Sequence, residues 1–431
     1  MARKSVVILG AGLAGLSAAY HLQKKGIACR VFEKEKEVGG LCRSKRISGF
    51  IFDYDGHLLH FKHNATFHFV SDILGNNLVK HKRNAAIFSF NRYTRFPFQA
   101  NLYGLPKSVV EDCLKGFIEV CLDGSKKNKG GSFRDWINQN LGRGIARHFM
   151  IPYNTKFWTL PSEQLTADWV DGFIPVPSLE DVIKGAVVEC NKTLGYNAFF
   201  WYPRRGGINE LPLALARPLK HVFTGCAVTE IDIKNRKIKL ASGDKENFDI
   251  LLSTLPLPEL PCLVKDLPGE IISSFKKLRW NSILNLNLGV EGKIGSSRHW
   301  IYFPEKEFSF FRIGFPHNFS PHLAPRGKSS LYVEVSYSST NPIEKKISVP
   351  GIVKELIKVG IIPSEKKICV QDINYIKYGY PIYDFNYQKA RGKVLDYLCQ
   401  NNIISFGRYG SWRYMSMEDT ILDGANTKSI F

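Results

Sequence analysis

The 431-residue chain has no apolar run approaching the ~20 residues that a membrane-spanning helix requires, and its first residues lead directly into a strand-like segment, not a leader. No integral membrane segment is therefore expected, and the cytoplasm is the expected compartment. Nine cysteines occur without a single C-x-x-C pair or a His/Cys cluster, so neither zinc nor any other metal is implied. An odd cysteine count in a leaderless chain also argues for reduced thiols, not disulfides. No internal repeat or low-complexity tract is present. Acidic residues are scarce, with 39 Asp and Glu against 59 Lys and Arg, and the net charge is +20. The excess is scattered in pairs such as Lys24-Lys25, Lys126-Lys127, Lys276-Lys277 and Lys366-Lys367, and no nucleic-acid-binding motif accompanies it. It reads either as a solvated surface or as an attraction for anions, either a phosphorylated substrate or an acidic membrane to which the protein would bind peripherally. Oligomeric state is not legible.

What the chain does have is core material, 44% hydrophobic and 13% aromatic, enough for two or three domains. Its most informative stretch is Val6-Val7-Ile8-Leu9 followed by Gly10-Ala11-Gly12-Leu13-Ala14-Gly15, with Glu33 closing a second strand, Cys29-Arg30-Val31-Phe32. That is a dinucleotide-binding βαβ unit: Gly10 allows the tight turn, Gly12 lets backbone approach a pyrophosphate, Gly15 lets helix pack on strand, and Glu33 accepts ribose hydroxyls. Gly39-Gly40-Leu41 follows the acid where flavoproteins of the amine-oxidase type carry a second glycine pair, which favours FAD over NAD.

The expected architecture is α/β, a Rossmann-like FAD-binding domain with an inserted helical domain and a β-sheet substrate domain. The FAD-binding part is discontinuous, at 1–60, 195–270 and 370–431. Residues 61–194 read as mainly helical around a Lys/Gly-rich connector at 124–131, and 271–369 as an antiparallel sheet. Ile250-Leu251-Leu252-Ser253 should re-enter the FAD sheet. Alternation in Leu284-Asn285-Leu286-Asn287-Leu288 and Leu331-Tyr332-Val333-Glu334-Val335 predicts a half-buried sheet, and a helix after Asp419 should aim its amino end at the flavin.

From about residue 50 several motifs fall in one order: Gly56-His57 in YDGHLLH, Pro97-Phe98-Gln99 in RFPFQAN, Pro152-Tyr153-Asn154-Thr155-Lys156-Phe157-Trp158, Gly206-Gly207 in YPRRGGI, Tyr302-Phe303-Pro304 with Arg312, Tyr380-Pro381, and GRYGSWRY from Gly407 to Tyr414. On these the chain resembles, nearly end to end, the UDP-galactopyranose mutases of the eukaryotic-type branch, within the FAD-dependent amine-oxidase/protoporphyrinogen-oxidase-like superfamily. The resemblance implies an FAD-dependent isomerase that interconverts pyranose and furanose forms of a nucleotide sugar for cell-surface polysaccharide assembly, with galactofuranose as the family's product. In that family the reduced flavin's N5 displaces the nucleotide from the anomeric carbon and an N5 adduct opens and recloses, without net redox. NAD(P)H or another external reductant would keep the flavin reduced.

By the same resemblance, the catalytic residues are His57, Arg312, Tyr380 and Tyr414. The cofactor would be held by Gly10, Gly12, Ala14, Gly15, Glu33, Gly39, Gly40, Leu41, Gly56, His57, Val228, Gly407, Arg408 and Tyr414. The substrate would meet Phe96, Gln99, Phe149, Tyr153, Asn154, Trp158, Asn197, Trp300, Tyr302, Arg312, Tyr380 and Tyr414. For the tyrosines, Phe149 and His57, ordinary core or capping roles remain as alternatives.

Three departures from the family pattern stand out. A second phosphate-binding arginine is replaced by Phe173, leaving Arg204 or Arg205 to compensate from elsewhere. Asp55 occupies a position where the family has glycine, and Met415-Ser416-Met417-Glu418-Asp419 differs from the family's polar tail. The alternatives are a true oxidoreductase of the amine-oxidase or protoporphyrinogen-oxidase type, or a non-catalytic flavin-binding protein.

Overall fold

The computed structural model describes residues 5–123, 130–189, 198–342 and 348–431. Strand β1 (Val6–Leu9) is buried along its whole length and pairs in parallel with β2 (Cys29–Phe32) on one side and with Ile250–Ser253 on the other. An uninterrupted apolar run is what a strand covered on both faces requires. The resulting five-stranded parallel sheet runs in the order 403–405, 250–253, 6–9, 29–32, 222–223, so three distant segments meet in one nucleotide-binding sheet. Ile250–Ser253 does re-enter it, as expected.

Helix α1 (Leu13–Lys24) packs its Leu13, Leu16 and Leu22 face into the core. Its small residues Ala14, Ser17 and Ala18 face the C-terminal helix Met417–Asn426, and the Ser17 hydroxyl donates to the Ile421 carbonyl at 2.7 Å. That C-terminal helix starts earlier than the sequence suggests. Asp419 is not before it but inside its first turn, where Asp419 and Ser416 form a capping box that satisfies the orphan N–H groups.

The second sheet has seven strands in the order 368–381, 280–291, 328–337, 312–314, 300–302, 85–89, 92–95, and is antiparallel except where 300–302 meets 85–87. It therefore extends beyond 271–369 and takes strands from the segments read as helical and as FAD-binding. The prediction of a half-buried sheet fails here. In Trp280–Glu291 and Lys328–Tyr337 both faces are covered, and Asn285, Asn287 and Glu334, which the alternation assigns to water, are fully or almost fully buried. Their alternation marks a polar interior face: Asn287 Nδ2 donates to the Asp53 carbonyl (3.1 Å) and Asn374 Nδ2 to Asn285 Oδ1 (3.1 Å).

Helices Lys107–Leu122, Phe133–Ile145, Ile151–Trp158 and Leu179–Val187 form the helical region. Ser132 and Asp135 cap the second of these, and a π turn, Ala146–Met150, leads into the third, which presents Tyr153 and Phe157 toward the seven-stranded sheet. The pair Lys126-Lys127 lies outside the described residues. Among the described residues no helix is long and apolar enough to cross a membrane.

Candidate active site

At the end of β1 the chain turns through Gly10 (φ 92°), whose N–H donates to the Phe32 carbonyl at 2.8 Å. Gly15 admits no side chain, because a Cβ there would stand 2.0 Å from the Gly10 oxygen; this contact lets α1 lie against the turn. Gly12 is different. A Cβ on it would have only the Gly40 Cα within 4 Å, at 3.9 Å, so its bareness serves open space in front of the helix terminus. Gly39 completes that wall by donating its N–H to the Ala11 carbonyl (2.8 Å) and bridging Gly12. The buried Glu33 carboxylate accepts the N–H of Ala11 (2.7 Å) on one oxygen and that of Glu35 (2.9 Å) on the other. Lone pairs remain on both oxygens for a ribose diol. Cys226 N–H donates to the Glu33 carbonyl, which brings Val228 to the same end, while Ala14 meets Gly407 and half-buried Leu41 packs beside Ile283, Phe311 and Ile376.

A second group of residues converges between helix Ile151–Trp158 and the seven-stranded sheet. Tyr380 lies 5.4 Å from Tyr414 and 4.6 Å from Phe157 between ring centroids, and Tyr302 lies 5.5 Å from Tyr153 and 4.9 Å from Phe96. Burial raises the pKa of Tyr153, Tyr380 and Tyr414, so these phenols are hydrogen-bond donors near neutral pH. The Arg408 guanidinium sits over Tyr380 (4.8 Å) and Tyr414 (5.2 Å), donating to the carbonyls of Met415 (2.7 Å) and Gly379 (3.1 Å). Its Nε is buried without a partner, and so is the indole N–H of Trp158. Both side chains flank Tyr380, Trp158 at 6.0 Å and Arg408 at 4.8 Å, and an orphan buried donor is what a polar ligand would satisfy.

Other expected residues are committed elsewhere. Phe149 is stacked between Phe98 (4.9 Å, 9°) and Tyr153 (5.4 Å, 10°), so both ring faces are covered within the core. The Gln99 amide donates to the Pro175 carbonyl (2.7 Å), and that of Asn154 to Met150 (2.8 Å). Trp300 is buried against Phe200 with its indole N–H unpartnered. His57 Nδ1 lies 3.1 Å from the Asp55 carbonyl, next to the half-buried Asp53, whose carboxylate accepts from Ser44 and Tyr202 (2.6 Å each) and from Ile208 N–H (3.1 Å). Gly56 is forced by Tyr332, whose hydroxyl would lie 2.4 Å from a Cβ. Asn197 lies outside the described residues.

Arg312 is not the free cation that the sequence suggests. It pairs through two hydrogen bonds with the fully buried Glu334, its cross-strand neighbour; the Nη2 to Oε1 distance is 2.6 Å. Phe173 has its ring 4.4 Å from Tyr414, with the Lys62 ammonium 5.4 Å from its centroid. Arg204 and Arg205 are exposed at a turn held to Asn77, and neither is seen to complete the cluster. Sequence reading also missed Glu334 and Lys156. An acid within the apolar run Leu331–Val335 is the signal that could have pointed to the first. Lys156 donates to the carbonyls of Phe303 (2.8 Å), Glu305 and Phe310 (3.2 Å), clamping the loop that leads to Arg312.

A glycine-lined helix terminus, a buried acid with lone pairs to spare and a cluster of donors are the features of a dinucleotide-dependent enzyme of the flavoprotein type. The profile of the flavin containing amine oxidoreductases matches residues 13–371, and the chain belongs to that family. L-amino-acid oxidase from Crotalus adamanteus is 26% identical over 253 residues, 56% of this chain and 46% of the oxidase, so the chain matches less than half the length of that relative. The zeta-carotene-forming phytoene desaturase of Myxococcus xanthus is 21% identical over 421 residues, 81% of this chain and 75% of the desaturase. The solved structure of a reduced UDP-galactopyranose mutase superposes with a TM-score of 0.93 over 99% of this chain and 96% of its own, at 25% identity. FAD fits the residues present: open space at Gly12, lone pairs on Glu33, and the unpartnered Arg408 Nε answer a pyrophosphate, a ribose and a polar ring edge.

Proposed function

We propose that the protein is a mutase that interconverts the pyranose and furanose forms of a nucleoside-diphosphate sugar. The observation that carries this reading is the clustering of Tyr153, Tyr302, Tyr380, Tyr414, Arg312 and Arg408, in a chain that follows a mutase fold almost end to end. Gly10, Gly12, Gly39, Gly40 and Glu33 would hold the FAD pyrophosphate and ribose, with Gly56, His57, Gly407 and Arg408 at the ring. Reduced FAD supplies, when bound, the electron pair that displaces the leaving group from the anomeric carbon. The hydroxyls of Tyr302, Tyr380 and Tyr414 would donate to the phosphate oxygens, and the guanidiniums of Arg312 and Arg408 would stabilise the charge that grows as the diphosphate departs. The nucleotide sugar is the proposed partner, NAD(P)H or another donor the proposed source of electrons.

The test is anaerobic reduction of the purified holoprotein with dithionite, followed by incubation with UDP-galactopyranose and related sugar nucleotides. Furanose product from the reduced protein, none from the oxidised form and no acceptor consumed are the expected results. One acceptor reduced per product would instead assign it to the oxidoreductases. That second reading is favoured by one feature, the apolar Phe173 against Tyr414, which suits a less charged substrate.

A further inference from the structure

Three consecutive helical segments each carry a pair of residues four positions apart, a spacing that puts both on one face. Arg134 and Asn138 lie in the first part of helix Phe133–Ile145, Arg143 and Arg147 follow its break at Gly142, and Ile151 and Thr155 lie on helix Ile151–Trp158. All six line one basin of about 500 Å³, on the side of helix Ile151–Trp158 away from Tyr153 and Phe157. Lys306 joins them from the loop 303–311, which Lys156 of the same helix clamps through the carbonyls of Phe303 and Glu305. Four cations therefore line the basin, and among the described residues no carboxylate does. Arg134 pairs with Glu163, and Arg147 with Asp112 at 3.2 Å, both acids standing outside the lining. The side chains of Arg143 and Lys306 have no hydrogen-bond or ion-pair partner among the described residues. The acids that flank Lys306 in sequence are engaged elsewhere, Glu305 by the Phe90 N–H (2.6 Å) and Glu307 by Lys358 (2.6 Å). Two positive charges at the basin are thus uncompensated.

We propose that this basin is a second binding site, for a small organic phosphate, and that part of the chain's cationic surplus serves it. Two uncompensated cations match the two negative charges of a phosphate monoester, and the planar fork of Arg143 suits phosphate oxygens. Asn138 and Thr155 add neutral polar groups that can reach a sugar hydroxyl or a phosphate oxygen. The volume falls in the range of small-molecule sites and is far larger than inorganic phosphate needs, while Ala146, Ile151 and Pro152 offer an apolar wall to the organic part. Lys306 lies on the loop of the hairpin whose register pairs Tyr302 with Arg312, so a ligand that bridges Lys306 and Arg143 ties that hairpin to the helical region. The site stands whichever reaction the flavin end performs, because none of its residues belongs to the tyrosine cluster.

The experiment titrates the FAD-loaded protein by calorimetry with glucose 1-phosphate, with AMP and with inorganic phosphate. At least one ester should bind saturably at one site per chain with a Kd below about 1 mM and raise the melting temperature, with inorganic phosphate at least about tenfold weaker. Arg143→Ala and Lys306→Ala should each weaken that ester by about tenfold, and the double variant by about a hundredfold. Both side chains are exposed, so the variants should fold, and an unchanged melt without ligand certifies it. Tighter binding of glucose 1-phosphate makes the occupant a sugar phosphate, and tighter binding of AMP makes it a nucleotide; either supports the site. Affinity unchanged in the double variant, or no saturable binding of either ester at about 10 mM, overturns it. Inorganic phosphate as tight as the esters would leave an adventitious ion only and overturn the organic ligand.

Discussion

The two ends of the candidate site are built by different means. At the nucleotide end, recognition is delegated to backbone: bare glycines, a helix terminus and one carboxylate whose hydrogen bonds are made within a few residues of the motif. At the end proposed for the substrate the cluster is built from side chains of five separate segments, and several of these have a second partner that modifies what they can do. Arg312 has Glu334, Arg408 has the rings of Tyr380 and Tyr414, and Tyr414 has Phe173. Backbone sites are fixed by conformation, whereas side-chain sites are adjustable one charge at a time.

The largest effect should therefore come from the glycines, and two of them should fail differently. Gly12→Val introduces bulk only into the space in front of the helix, so the protein should fold and yet be isolated colourless, with FAD binding lost. Gly15→Val places bulk against the Gly10 oxygen, where a Cβ alone would be 2.0 Å away, so soluble expression itself should collapse. Absorbance near the flavin bands together with circular dichroism separates the two. Stoichiometric FAD in folded Gly12→Val would break the contrast.

Next comes Arg312. A free surface-like arginine could be truncated without structural cost, but here its removal leaves Glu334 fully buried with no cation. Arg312→Ala should lower stability by about 3 kcal/mol as well as activity, and pairing it with Glu334→Gln should restore much of the stability but none of the turnover. Thermal melts of the single and double variants check this. Equal melts for wild type and Arg312→Ala would mean that the pair does not exist in solution.

The two ends also differ in how far the amino-acid sequence exposes them. β1, the Gly10–Gly15 turn, Glu33 and the return of Ile250–Ser253 were readable because their signals are local and each residue has one job. Arg312 was readable as a candidate, but its charge state was not, since Glu334 lies twenty-two positions away and comes next to it only through strand register. Periodicity misled at Asn285, Asn287 and Glu334, because alternation reports a polar face without saying whether water or protein covers it. Phe149 likewise had the right neighbours in sequence, yet Phe98 closes its second face from another segment.

Behind the substrate sheet, His299 gives a smaller effect that tests whether this end also governs acid lability. Its Nδ1 accepts the Asn84 N–H at 3.0 Å, and burial lowers its pKa to about 4 with His81 as a neighbour. The unfolded chain then binds the extra proton first, so stability falls as pH drops from about 6.5 toward 4, by of order 1–2 kcal/mol near pH 5 from this residue. His299→Gln should flatten that part of the profile in chemical denaturation series, and an unchanged slope would move the lability to other groups.

The smallest effect is the one that speaks most directly to substrate. Phe173 lies against Tyr414 at 4.4 Å and within cation–π range of Lys62, so an arginine at 173 would have its stem in the same aromatic wall and its head near Tyr414 and Arg408. If the cleft takes a diphosphate, Phe173→Arg adds a charge-assisted bond to an anion already held by tyrosine hydroxyls. Affinity for uridine diphosphate should tighten by roughly tenfold, the factor that ~1.4 kcal/mol provides. If the substrate is instead an uncharged oxidisable molecule, the same change buries an uncompensated cation in its pocket and should weaken oxidase turnover while leaving nucleotide affinity negligible. The two readings thus predict changes of opposite usefulness from one substitution. Titration of the flavin absorbance with uridine diphosphate, run beside an oxygen-electrode assay with amines and amino acids, tells them apart: tighter nucleotide binding sustains the mutase reading, and a measurable oxidase rate that Phe173→Arg abolishes replaces it.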